Sequence, residues 1–189
     1  MNDLQKLIND FIRKTMKDIQ IEAADEFDRN FEREAFFNKA WARRKFNDDT
    51  SRGLLVQTGA LRQSITSRLE DHSIVFETTL PYASIHNEGG TITVTRKMKK
   101  YFWWKYQTIV GTKANGFSGQ LQRKKNGEYR NNKRNRELTE EAKFFKAMAL
   151  KKVGSKIVIP KRQFIGHHPD LEKLLKEIAE KNTQLIFNN

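Results

Sequence analysis

The chain has 189 residues, with 36 Lys and Arg against 23 Asp and Glu and no cysteine. That length suits one domain with room for a long insertion, and 37% hydrophobic residues suffice for a modest core, which excludes a disordered chain. No apolar run approaches the ~20 residues of a membrane span, and the lack of cysteine excludes disulfide scaffolds, thiol nucleophiles and Cys-type zinc sites.

Residues 3–35 predict a long amphipathic helix. Leu4, Leu7, Ile8, Phe11, Ile12, Thr15, Met16, Ile19, Ala23, Phe27 and Phe31 recur at the three-and-four spacing that keeps one face apolar. At ~1.5 Å per residue this helix is roughly 45 Å long, more than a small core covers. Leu4, Leu7, Ile8, Phe11, Ile12 and Ile19 are therefore the candidate oligomer-interface residues. The competing reading bends the helix near Asp25 and packs the whole stripe within one chain.

A polar loop is expected over 46–53, then a short helix capped by Thr58 and holding Leu61. Ile65, Ser67 and Leu69, then Ile74, Phe76 and Thr78, alternate with other residues as two strands joined at Asp71-His72. Pro81 opens a short helix through Tyr82, Ala83, Ile85 and His86, which Gly89-Gly90 ends. The β-branched run 91–95 predicts a strand. A helix over 97–106, a Gly/Asn/Lys/Arg loop over 111–135 and a helix capped by Thr139 follow. Ile157-Val158-Ile159 is a last strand stopped by Pro160, and a final helix starts at Pro169-Asp170. The fold class expected is α+β: a small antiparallel sheet, a long N-terminal helix, a C-terminal helix and a basic helix–loop–helix insertion. The domain plan is a single domain over 1–189, with 96–155 as the basic inserted segment.

The charge is uneven. Residues 96–136 hold thirteen Lys and Arg and one acid, Glu128; the other 148 residues hold 23 bases against 22 acids. Such asymmetry marks an appendage with its own partner. Tyr101, Phe102, Trp103, Trp104 and Tyr106 sit among Lys97, Lys99, Lys100 and Lys105, the mixture a single-strand nucleic-acid platform uses. Yet Met98, Phe102 and Tyr106 share a helical face that Phe144, Phe145, Met148 and Leu150 can cover, so Trp103 and Trp104 are expected in a core or subunit contact. Arg123, Lys124, Lys125, Arg130, Lys133, Arg134 and Arg136 cannot pack this way. They form a solvated arm or the contact to a polyanion: genomic DNA or, preferred here, an acidic protein surface.

Catalytic constellations are missing from the sequence. There is no phosphate-binding glycine loop and no Gly-x-Ser-x-Gly elbow. His86, Glu88, His168 and Asp170 lack a recognised metal-ligand spacing. No enzyme, metal or cofactor is expected.

Three blocks point to one family. They are Leu54-Leu55-Val56-Gln57-Thr58-Gly59-Ala60-Leu61-Arg62-Gln63-Ser64-Ile65, Pro81-Tyr82-Ala83-Ser84-Ile85-His86-Asn87-Glu88-Gly89-Gly90, and Ile159-Pro160-Lys161-Arg162-Gln163-Phe164-Ile165-Gly166 before the last helix. In order and spacing, with Trp41 ahead of them, they resemble the phage virion morphogenesis (tail completion) proteins of long-tailed bacteriophages. The resemblance covers about 36–95 and 156–182 and departs over 96–155. It implies structural roles for Thr58, Gly59, Leu61, Ser64, Tyr82, His86, Gly89, Pro160, Arg162 and Phe164, and no catalytic residue. It also implies a ring at the tail–neck junction that completes the tail and supports head–tail joining. The implied partners are further copies of the chain, in a ring of six, and the tail tube or terminator and head–tail connector proteins; no membrane is involved. The implied location is the virion, after assembly in the host cytoplasm, in keeping with a start (Met1 to Lys6) that lacks a secretory layout. The alternative reading is a nucleic-acid-binding protein acting through residues 96–136. Physically, Gly59 and Gly89 suit tight turns, Arg162 and Phe164 share one face of an extended segment, and His86 is expected to hydrogen-bond near the sheet.

Overall fold

A computed structural model describes residues 3–44, 53–71, 73–111 and 119–187. The loop expected over 46–53 thus lies, apart from Gly53, outside the described residues, as does His72 between the two predicted strands. The chain divides into two compact units, Met1–Ala42, Arg52–Gly89 and Pro160–Asn189 in the first, Arg43–Ser51 and Gly90–Ile159 in the second.

The first unit contains α1 (Asp3–Arg33), β1 (Ala35–Phe36), β2 (Lys39–Ala40), α2 (Ala60–Gln63), β3 (Thr66–Glu70), β4 (Ser73–Glu77) and α3 (Ala83–Glu88). The second holds β5 (Gly90–Thr93), α4 (Arg96–Val110), α5 (Lys133–Leu150) and β6 (Lys156–Ile159); α6 (Pro169–Phe187) returns to the first. The α+β class stands, but the strands do not join in one sheet. Among the described residues they form three separate antiparallel pairs, β1–β2, β3–β4 and β5–β6.

α1 contains no Gly or Pro and is continuous through Asp25, where a bend was the competing expectation. It ends where Glu34 and then Phe37 take left-handed backbone (φ 51° and 53°), turning the chain into the β1–β2 hairpin. Ala23 and Phe27 of α1 pack with Phe36 and with Leu171 of α6. Further toward the C-terminal end, Phe31 joins Trp41, Leu54, Leu61, Ala83 and Phe164. Phe31 meets the Trp41 ring edge-on at 5.6 Å and the Phe164 ring at 5.3 Å, and Phe27 meets Phe76 of β4 edge-on at 4.9 Å. α6 runs antiparallel to α1: Leu171 lies at Ala23 and Phe27, while Asn182 Nδ2 donates to Asp18 Oδ2 (2.8 Å) and Thr15 Oγ1 (3.3 Å).

In the second unit, β5 and β6 pair from Gly90↔Ile159 to Thr93↔Lys156. Thr95 caps α4 by accepting from the Met98 N–H at 3.1 Å. α5 corrects one expectation: its cap is Asn132, whose side chain accepts from the Asn135 N–H at 2.8 Å, and Thr139 sits about two turns inside, donating to Asn135 O. Val94 N–H donates to Ser155 O (2.8 Å) and Gly154 N–H to Val94 O (3.0 Å), so the start of α4 meets the end of α5 and the two helices run antiparallel. Ile109, Ala142 and Phe145 are buried between them, with Phe102 stacked on Phe145 at 6.1 Å.

Candidate functional site

Most of the motif residues converge on the segment that follows β6. Residues 160–166 have no strand partner among the described residues, so their backbone groups are satisfied by other means. The Arg162 N–H donates to His86 O (2.8 Å), and Arg162 Nε donates to Ala42 O (2.9 Å). Asn87 Oδ1 accepts from both Phe164 N–H (2.9 Å) and Ile165 N–H (3.1 Å). Trp41 Nε1 donates to Gln163 O at 2.7 Å. Asn30, fully buried on α1, donates to Phe164 O (3.2 Å) and accepts from the Phe37 N–H (2.9 Å). The segment is thus held by side chains from α1, α3 and the chain after β2. Arg162 and Phe164 both turn inward, as their shared face predicts.

Gly89 closes α3 with φ 73°, and a Cβ there would lie 2.8 Å from the Lys161 N. The backbone of the last block approaches so closely that only glycine fits. Tyr82 precedes α3, half exposed, with its ring edge-on to His86 at 6.1 Å. His86 departs from expectation: its Nδ1 is buried and has no hydrogen-bond partner among the described residues. Burial, and then the neighbouring Arg162 charge, push the imidazole pKa below its usual 6.5, so the ring is held neutral. His168 stacks on Phe37 at 4.2 Å and its Nδ1 lies 3.5 Å from Asp170, while Glu88 faces Lys161.

The first block docks on α1 through a residue the sequence reading did not single out. Arg62 grips Asp28 with two hydrogen bonds and reaches Glu32 at 2.8 Å, and these bonds raise its pKa. Gly59, with φ 73°, takes the N-cap position of α2 that was expected of Thr58; Thr58 Oγ1 instead accepts from the Ala60 N–H at 3.3 Å. Leu61 is buried, and Ser64 bonds Leu61 O (2.8 Å) and Thr78 Oγ1 (2.7 Å). Glu26 lies in the same helix; burial raises its carboxyl pKa, but bonds from Arg33 (3.0 Å) and Arg29 (2.5 Å) outweigh this and hold it below 4.5.

The candidate interface stripe stays in view. Leu4 and Leu7 are 63% and 57% exposed, Ile8 and Ile12 are also exposed, and Phe11 and Ile19 are half-buried. The cause is length. From Asn182, opposite Thr15, α6 continues five residues, ~7 Å, whereas α1 continues twelve residues back to Asp3, ~18 Å. The first turns of α1 overhang α6 by ~10 Å.

In the second unit Trp103 and Trp104 are 42% and 47% exposed, so neither enters this chain's core. Phe102, Tyr106 and Ile109 line up with α5, and Leu150 is exposed as well. The basic residues beyond α4 do not form a loose arm. Arg123 and Tyr129 bridge two antiparallel segments around a turn in which Gly127 N–H donates to Lys124 O (3.0 Å). Buried Asn135 anchors that hairpin, accepting from Gln122 N–H (2.9 Å) and donating to Gln122 O (2.8 Å) and Arg130 O (2.7 Å). Lys133, Arg134 and Arg136 are helical, in the first turn of α5, rather than in a loop.

Among the described residues no cluster of His, Asp and Glu is placed to hold a metal, and no helix is long and apolar enough to cross a membrane. Residues 12–109, just over half of the chain, match the model of the phage virion morphogenesis family. The match enters partway along α1 and runs to the end of α4, so it continues past residue 95, where the motif resemblance departs. No curated protein and no solved structure matches.

Proposed function

This chain belongs to the phage virion morphogenesis family, whose role is in building the virion, and we propose that it is the subunit of a ring that completes the tail at its junction with the neck and supports head–tail joining. The observation that carries this reading is the overhang of α1. Leu4, Leu7, Ile8 and Ile12 form an exposed apolar stripe at one end of the molecule, the kind of surface that a second copy covers. A closed ring uses one such stripe per subunit against a different face of its neighbour, so every stripe is buried and growth stops. The preferred stoichiometry is six, from the family resemblance. Around it, the tightly bonded segment 160–166 and the Arg62 cluster serve to fix α1 on the rest of the first unit, so that the stripe is presented in one orientation.

The test is assembly mass by light scattering, alone and with purified tail tubes, for the wild type and for Phe11→Glu with Ile12→Glu. A ring that dissociates to folded monomers in the variant supports the reading. Unchanged mass with retained helicity refutes the role of α1. Particles made without the protein should show filled heads separate from tails, or tails of abnormal length; normal joined virions would refute the placement at the neck.

A further inference from the structure

We propose that the end of the second unit where the 122–130 hairpin meets the start of α5 binds duplex DNA through its phosphate backbone. The inference goes beyond the tail–neck reading and rests on the charge and geometry of the second unit alone. Residues 90–159 hold 18 Lys and Arg against 4 acids, whereas the other 119 residues hold 18 against 19. This stretch therefore carries +14 and the remainder −1, which together make the net charge of +13.

Local pairing takes up Lys124, whose Nζ donates to Glu128 Oε2 at 3.0 Å, and leaves most of the other cations of this end. Lys125, Arg134 and Arg136 have no carboxylate partner among the described residues, and Lys133 lies 4.0 Å from Glu137. Arg123 is held rigidly instead: its guanidinium donates to Gly127 O (2.9 Å) and Tyr129 Oη (2.8 Å) and stacks over the Tyr129 ring at 4.3 Å. With Asn135 tying Gln122 and Arg130 to α5, the cations stand at set positions on an ordered hairpin. Lys133, Arg134 and Arg136 also crowd the positive end of the α5 dipole, an unfavourable arrangement that a bound anion relieves.

The surroundings choose the polyanion. Protein interfaces are anchored by apolar or aromatic residues at a core poor in lysine. Over 122–136 the single ring is Tyr129, already covered on one face by Arg123, and Leu121 is turned into the helix pair. A single-strand site needs free ring faces among its cations; the exposed rings, Tyr101, Trp103 and Trp104, lie near the middle of α4, where Phe102 stacks on Phe145, about three turns along α5 from its start. What remains is a dense array of cations without a stacking surface, which suits the regular phosphates of a duplex. A non-specific affinity of about 10⁻⁵ M at physiological salt keeps such a contact compatible with a moving genome.

The experiment is fluorescence anisotropy of the full chain with a 30-base-pair duplex, the same single strand and polyglutamate, each across a salt series. Lys125→Gln, Arg134→Gln and Arg136→Gln together should lower the log–log salt slope for duplex by about 2.7, at ~0.9 per phosphate contact. Lys6→Gln, Lys14→Gln and Lys17→Gln on α1, an equal change of charge, should leave the slope unaltered. If the triple variant loses helicity, Arg134→Gln and Arg136→Gln are read singly, at ~0.9 each. No duplex binding at 50 mM salt, a slope that the hairpin variants do not change, an equal drop in the α1 control, or tighter binding of single strand or polyglutamate would each overturn the proposal.

Discussion

Replacing Asn30 with leucine sets two physical effects against each other. Leucine has the same branched skeleton as asparagine with bulkier methyl ends, so no cavity opens, and it adds apolar surface to a site that is 0% exposed. If burial of apolar surface decides, the variant gains about 1 kcal/mol. Yet Asn30 is the partner of two backbone groups, the carbonyl of Phe164 and the N–H of Phe37. Each is left without a bond at a cost of ~1–3 kcal/mol. The orphaned groups win, and the net loss is about 3 kcal/mol, within a range of ~1–5. For a chain of this length 1 kcal/mol corresponds to ~2–4 °C, so calorimetry should show the transition of the first unit fall by ~6–12 °C. Asn30→Ala adds a void and should fall further. A melting temperature for Asn30→Leu equal to or above the wild type would refute the reasoning. It would mean that the segment 160–166 holds its place by the packing of Phe164 alone.

Gly89→Ala should cost at least ~2 kcal/mol, because the residue must keep a left-handed backbone while its Cβ meets the Lys161 amide at 2.8 Å; a urea titration reads it directly. Arg62→Lys keeps the charge but loses the two-pronged bond to Asp28, with an expected loss of ~1 kcal/mol that shrinks in 0.5 M salt; an equal loss at both ionic strengths would point to packing instead. His86 titrates below 6.5 in the folded state, so the unfolded chain takes up the proton first as the pH falls. Its contribution is therefore fully present above ~6.5 and declines below it, by at most ~1.4 kcal/mol per pH unit, and His86→Gln should flatten that part of the urea-midpoint profile between pH 7.5 and 5.5.

The long elements were legible because their apolar spacing is long. The stripe of α1 and the run Leu171, Leu174, Leu175, Ile178 of α6 each repeat over several turns. β1 and β2 were not, since two residues apiece leave no alternation to read, and what makes them is the left-handed pair Glu34 and Phe37. The start of α5 was misplaced because Thr139-Glu140-Glu141 imitates a capped first turn. Leu138, Ala142 and Phe145 at helical spacing already extend the pattern upstream, and Asn132 caps it. For the site, the motif blocks pointed to Arg162, Phe164 and Gly89, all of which proved central. Asn30 carried a readable signal, a polar residue beside Phe27 and Phe31 on an apolar face, which asks for a buried bond. Asn87 carried none, because its partners lie 77 and 78 residues away and only the fold brings them to it. Trp103 and Trp104 show the reverse: bulky apolar residues imply burial, but their positions on α4 face away from α5.

Gly90 and Ile159 are opposite one another in the β5–β6 ladder, so a 70-residue excursion leaves and re-enters the chain at a single doorway. To the rest of the polypeptide that doorway looks like a hairpin, whatever hangs beyond it. Exchanging the excursion for a turn of about four residues removes some four doublings of loop length, lowering the closure entropy by ~2.5 kcal/mol without asking either end to move. The stretch 90–159 is therefore a cassette. Evolution can lengthen, recharge or discard it while Gly89 and Pro160 keep their places, and an engineer can graft another module across the same pair of residues.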